Sequence, residues 1–100
     1  MVDNISIMVE PLDPAVAKRT VVAILASGTL SFSKHALEEM NNDNMVEVDA
    51  KNALRGGMCQ VAELVASSWR YRFETARYAV VVAFRAEDHA IVVTAWKFKR

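Results

Sequence analysis

Arg70 and Arg72 stand two residues apart in the stretch SSWRYRFETARYAVVVAF, residues 67–84. A strand alternates its side chains between two faces. A strand over 69–74 therefore sends Trp69, Tyr71 and Phe73 one way and Arg70, Arg72 and Glu74 the other. Two guanidinium groups on one face can hold one phosphodiester, because each is a planar fork of donors that stays charged at every relevant pH. The bland alternative is a solvated sheet face on which each arginine pairs with Glu63, Glu74 or a helix carboxylate.

His35 is the second candidate. It falls near the start of a helix capped by Ser33, beside Lys34. A helix start offers free N–H groups and a partial positive charge, a place for phosphate, and leaves the imidazole free to take and give protons. A surface histidine or a core hydrogen-bonder is the alternative. His89, in AEDHA, reads as a plain turn residue. The last strand carries TAWKFKR, in which strict alternation groups Lys97 and Lys99 with Ile91, Val93 and Ala95, and Thr94, Trp96 and Phe98 on the other face. This basic end is either a solubilising tail or an extension of the arginine patch.

The elements that must position these residues follow from period and punctuation. Asp13-Pro14 starts a helix with Ala17, Val21, Ile24 and Leu25 inward, and Gly28 ends it. TLSFS (29–33) is a short strand or extended link. KHALEEM is the next helix, with Ala36, Leu37 and Met40 inward, stopped by NNDN. EVDAKNALR is a third helix ending at Gly56-Gly57. The period then changes to that of strands in CQVAELV, WRYRFET, YAVVVAFR and AIVVTAWKF. The last three should form an antiparallel meander within 69–98, with Val80, Val82, Phe84 and Val93 largely buried. The fold class expected is α+β, N-terminal helices on one face of an antiparallel sheet of about four strands.

One hundred residues make one domain, 1–100, with 1–12 expected as a loosely ordered N-terminal segment. A chain 53% hydrophobic and 24% charged is that of a folded protein. The net charge of zero hides a split. Residues 1–50 carry three Lys/Arg against eight Asp/Glu, and residues 51–100 carry nine against four. That asymmetry hints at a polyanion or an acidic partner, unless the two halves simply pair with each other. No apolar run reaches the ~20 residues that span a bilayer, and no basic segment followed by an apolar stretch opens the chain. A cytoplasmic location with no membrane partner is the expectation. One cysteine, Cys59, allows no internal disulfide and no metal cluster. With no Gly-rich phosphate loop, nucleophile elbow or dinucleotide fingerprint either, no metal and no cofactor are expected.

FSKHALEEM (32–40), NALRGG (52–57), WRYRFET (69–75) and VVTAWKF (92–98) together resemble a bacterial family of small chains of unknown function. That family carries an S-K-H-A-x-x-x-M helix start, a W-R-Y-R strand and a T-x-W-[KR] last strand. Its element order is similar to that of MqsR-like toxins and, more distantly, RelE-like and barnase-type ribonucleases. The resemblance spans about residues 15–99. It implies a RelE/MqsR-like sheet with helices on one face and metal-independent RNA cleavage by a toxin held by an antitoxin. A basic residue of the MqsR last strand falls opposite Lys97, whereas the MqsR helix start has no histidine matching His35.

Such cleavage needs a group to take the ribose 2′-hydroxyl proton, one to protonate the leaving oxygen, and fixed cations for the charge on phosphorus. His35 would serve the proton steps, and Arg70, Arg72 and Lys97 the charge. Lys34, Tyr71, Thr94 and Lys99 are the candidate substrate contacts. This reading requires His35 within about 10 Å of Arg70 or Arg72, the reach of one nucleotide between hydrogen-bonding side chains. The competing reading is a non-enzymatic module whose basic sheet face binds nucleic acid or an acidic partner protein, and a structural domain of a larger assembly comes third. Partners are then RNA and an antitoxin in the first reading, with the oligomeric state open.

Overall fold

A computed structural model describes residues 8–99. The chain runs α1 (Pro14–Ser27), β1 (Thr29–Phe32), α2 (Lys34–Asn42), α3 (Glu47–Gly56), β2 (Met58–Cys59), β3 (Glu63–Val65), β4 (Ser68–Glu74), β5 (Tyr78–Ala86) and β6 (His89–Lys97). Pro14 opens α1, where its missing N–H costs nothing. Asp13 occupies the cap position without a side-chain cap bond, so proline and the buried stripe Ala17, Val21, Ile24 set this helix. Ser33 does cap α2, its Oγ accepting from the Ala36 amide at 3.0 Å. Ala36 and Met40 are buried, as the spacing requires, but Leu37 points outward at 43% exposure.

The fold is α+β, but the sheet is larger than expected and mixed. Six strands lie in the order β1-β6-β5-β4-β2, with β3 also paired to β4. The antiparallel meander of β4, β5 and β6 is present as read from the sequence. β1 joins it as a strand parallel to β6, Thr29 opposite His89 and Phe32 opposite Val92. The CQVAELV stretch is two strands along one edge of β4. Cys59 opposes Phe73, Gln60 donates to the Arg72 carbonyl, and Glu63 opposes Arg70. Two residues, Val61 and Ala62, thus stand against Tyr71 alone, a bulge that breaks the ladder.

A second bulge changes which side chains face where. Val81 pairs with Thr94, but Val82 pairs with Val92, so Val93 is the extra residue. Strict alternation therefore fails along β6. Ala90, Val92 and Ala95 are buried under the helices, Ile91 belongs with Thr94 and Trp96, and Val93 is only half-buried. Val80 and Val82 are fully buried, and Phe84 is half-buried with its ring edge-on to Tyr71 at 5.1 Å.

All helices cover one face. α2 lies on β6, α3 lies on β4 and β5, and α1 packs on α3 and β2. The core between the layers joins Val21, Met40, Leu54, Tyr71, Phe73 and Val82. The opposite face carries no helix among the described residues. The N-terminal approach is tied down from Glu10 onward: the Tyr71 hydroxyl donates to Glu10 Oε2 and accepts from the Leu12 amide, both at 2.9 Å. The rest of the expected loose segment, residues 1–7, lies outside the described residues.

The paired glycines after α3 have different work. A Cβ on Gly57 would sit 2.5 Å from the Ala53 carbonyl oxygen and 2.9 Å from that of Glu74, both backbone, while a Cβ on Gly56 meets nothing within 4 Å. Gly57→Ala is expected to cost about 1–3 kcal/mol through this overpacking. Gly56→Ala should be neutral or stabilise by up to about 1 kcal/mol, since alanine is the better helix former. Chemical denaturation of the two variants checks this, and equal effects would contradict it.

Candidate functional site

Arg70 and Arg72 share the uncovered face of the sheet, as alternation with the buried Tyr71 and Phe73 demands. Register builds rows across that face. Arg72 opposes Val81, which opposes Thr94, and Glu74 opposes Ala79, which opposes Trp96. These rows, with the bulged edge at Val61, form a groove of about 450 Å³ whose lining includes Arg70, Arg72, Thr94 and Trp96, with Glu63 its acidic member. The Arg72 Nε donates to Glu74 Oε2 at 2.9 Å in an exposed pair, an interaction worth little in water and readily exchanged. Arg70 differs. It is half-buried, its Nε donates to the Ser68 hydroxyl at 3.3 Å, and among the described residues no carboxylate lies within 4 Å of it. The terminal nitrogens of that guanidinium keep their donors for something else.

Lys97 and Lys99 are together but elsewhere. Lys97 follows the buried Ala95 onto the helix-covered face, beside Tyr78 across the ladder. Its backbone amide donates to Asp43 Oδ2 at 2.9 Å, at the C-terminal end of α2. An open groove of about 670 Å³ lies there, lined by Asn42, Asn44, Arg77, Lys97, Phe98 and Lys99, with Asp43 its acidic member. The Arg77 guanidinium stacks over the Tyr78 ring at 5.6 Å from its centroid.

His35 joins neither groove. It is 66% exposed on α2, its Nε2 3.9 Å from Glu39 Oε2, with Lys34 exposed beside it. Since α2 packs on β6 from the helix side, the sheet itself lies between His35 and the guanidinium groups of Arg70 and Arg72. Two strand spacings of about 4.8 Å each also separate β6 from β4. The expected approach within a nucleotide's reach does not occur, so the shared proton-transfer and cation site is not assembled. Tyr71 is not a substrate contact either. Its ring is fully buried, and its hydroxyl is engaged with Glu10 and Leu12. Burial, above all, pushes that hydroxyl up to about 12.

Two residues escaped the sequence reading for physical reasons. His89 begins β6 rather than sitting in the turn, and its Nε2 lies 3.0 Å from the Ser31 Oγ on the uncovered face. Among the described residues nothing orients its other ring nitrogen, so the pair lacks the third member that an activated serine needs. Arg77 became visible only once pairing set Tyr78 against Lys97, with the Phe98 amide donating to the Arg77 carbonyl at 2.8 Å. The alternation of WKF and the RY pair facing it were the available signals.

Cys59 is half-buried, and its Sγ donates to the Gln60 carbonyl at 3.3 Å. Burial pushes the thiol up to about 11 against the opposing pull of Lys18. Because the thiolate is the nucleophile, a thiol displaced from 9.0 to about 11 holds roughly 100-fold less thiolate near neutral pH. It reacts more slowly, by a smaller factor because the more basic thiolate is the better nucleophile. Alkylation by iodoacetamide should show that retardation in native against denatured protein. Equal rates would contradict it.

Among the described residues no three His, Cys, Asp or Glu gather to hold a metal ion, and no helix is long and apolar enough to cross a membrane. Comparison with known proteins finds no matching family model, no matching curated protein and no matching solved structure.

Proposed function

We propose that this chain is a non-enzymatic binding module that holds single-stranded RNA on the uncovered face of its sheet. The observation that carries this reading is Arg70: a half-buried guanidinium with one neutral partner, set in a groove beside Arg72, Thr94 and Trp96. Guanidinium groups grip phosphate by a planar pair of donors, and an indole face accepts any stacked base. A groove of about 450 Å³ has room for a nucleotide-sized group. The resemblance of FSKHALEEM, WRYRFET and VVTAWKF to a small bacterial family whose element order is similar to that of toxin ribonucleases favours RNA as the class of ligand.

Catalysis by the ribonuclease route would need His35, the arginine pair and Lys97 in one place, and they occupy three. The binding reading needs only the groove. Titration of a labelled oligouridylate followed by fluorescence anisotropy tests it. Saturable binding that weakens with salt, with the RNA recovered intact, is the expected result. No binding at low salt, or equal binding of polyglutamate-like acidic peptide and RNA, would overturn it.

A further inference from the structure

The two grooves meet at the end of β6. Trp96 lines the groove on the uncovered face, Phe98 lines the groove at the sheet end, and their rings touch edge to face with centroids 6.4 Å apart. The sheet-end groove gathers Arg77, Lys97 and Lys99 against Asp43 alone. One oxygen of that carboxylate is already taken by the Lys97 amide, and among the described residues no carboxylate lies within 4 Å of the three cations. Side-chain amides of Asn42 and Asn44 add neutral donors to the same rim.

We infer that Arg77, Lys97 and Lys99 form a second phosphate-holding station for the same ligand, reached over the Trp96–Phe98 pair. The nucleic acid is then a single strand that turns around the end of the sheet, from the uncovered face to the helix side. Cations at both ends with aromatic rings between them suit a flexible backbone carrying unstacked bases. A stiff duplex cannot make that turn within one domain. Regular alternation over Thr94–Lys97 is what makes the track possible, because it sets Lys97 on the opposite face from Thr94 and Trp96. This inference rests on the proposed RNA-binding reading, and its test separates the two.

The probes are oligouridylates of about 4 and about 12 nucleotides, within the range that small single-strand binders cover. The variants are the full chain carrying Arg77→Ala, Lys97→Ala and Lys99→Ala together, and the full chain carrying Arg70→Ala with Arg72→Ala. Asp43 is held by the Lys97 backbone amide, which alanine retains, and thermal melting confirms folding. The triple variant should bind the longer oligomer at least roughly 10-fold more weakly, with a salt slope lower by about 2. It should bind the shorter one as the wild type does, and a duplex of the longer sequence should bind the wild type poorly. If the triple variant holds the longer oligomer normally while the arginine pair variant loses both, the second station is wrong and the proposed function stands. If the triple variant loses both oligomers and the arginine pair variant neither, the groove on the uncovered face is not the site. That overturns the proposed function and, with it, the track. A wild type that binds neither oligomer overturns both.

Discussion

Tyr71→Ala is expected to remove about 3–5 kcal/mol of stability, enough to unfold much of the population of a domain this small. The ring is fully buried between the helices and the sheet, against Phe84, so truncation leaves a cavity. Tyr71→Phe isolates the hydroxyl. That group donates to Glu10 and accepts from the Leu12 amide, so its loss should cost about 1–2 kcal/mol and release the segment leading into α1. The loss is pH-dependent with a defined sign. The folded-state hydroxyl is raised from 10.0 to about 12, so the fold favours the protonated form. The stabilisation is fully present below pH 10.0 and declines as the pH rises towards about 12. The stability gap between wild type and Tyr71→Phe should narrow across that window in urea unfolding. A gap that widens with alkalinity, or RNA binding lost by folded Tyr71→Phe, would contradict the purely structural role.

The second large effect concerns the arginine pair. Arg70→Ala with Arg72→Ala should weaken RNA binding by roughly 10- to 100-fold, as expected for charge-assisted contacts of about 1.5–3 kcal/mol each acting in part through shared phosphate. Stability should change by about 1 kcal/mol or less, because the only ion pair lost among the described residues is the exposed Arg72–Glu74 contact. Arg70→Lys separates shape from charge. An ammonium keeps the charge but lacks the planar fork, so this variant should keep the salt dependence of binding and lose most of the affinity. Full affinity in Arg70→Lys would mean a diffuse electrostatic role. A large drop in stability in the double variant would mean a structural one.

The helices and the meander were legible because their signals are local. Pro14 and Ser33 mark starts, and the β-branched run Val80–Val82 alternates regularly over the part of β5 that carries no bulge. What escaped the sequence is what depends on pairing. A bulge leaves no local mark in VVTAWK, yet the extra residue at Val93 puts Ile91 and Lys97 on opposite faces, where strict alternation would keep them on one. The β3–β4 turn was hidden for a similar reason. Ala66 and Ser67 take positive φ values of 49° and 65°, a conformation usually announced by Asn-Gly. The parallel pairing of β1 with β6 depends on Gly28 approaching the Asp88 carbonyl, a contact between residues far apart in the chain. The candidate site divided along the same line. Arg70, Arg72 and Thr94 came together because three consecutive strands and two pairings join them. His35 was grouped with them on chemistry alone, and the sheet lies between.

The most direct test of RNA binding on the uncovered face is an NMR titration of the ¹⁵N-labelled chain with a single-stranded oligouridylate. Binding there predicts saturable shifts at the Trp96 indole N–H, the Arg70 and Arg72 Nε–H groups and the Val81 and Thr94 amides, with Lys34 and His35 unmoved. Shifts centred on the start of α2 at Lys34 and His35, with the Trp96 and Arg70 signals unchanged, would contradict it.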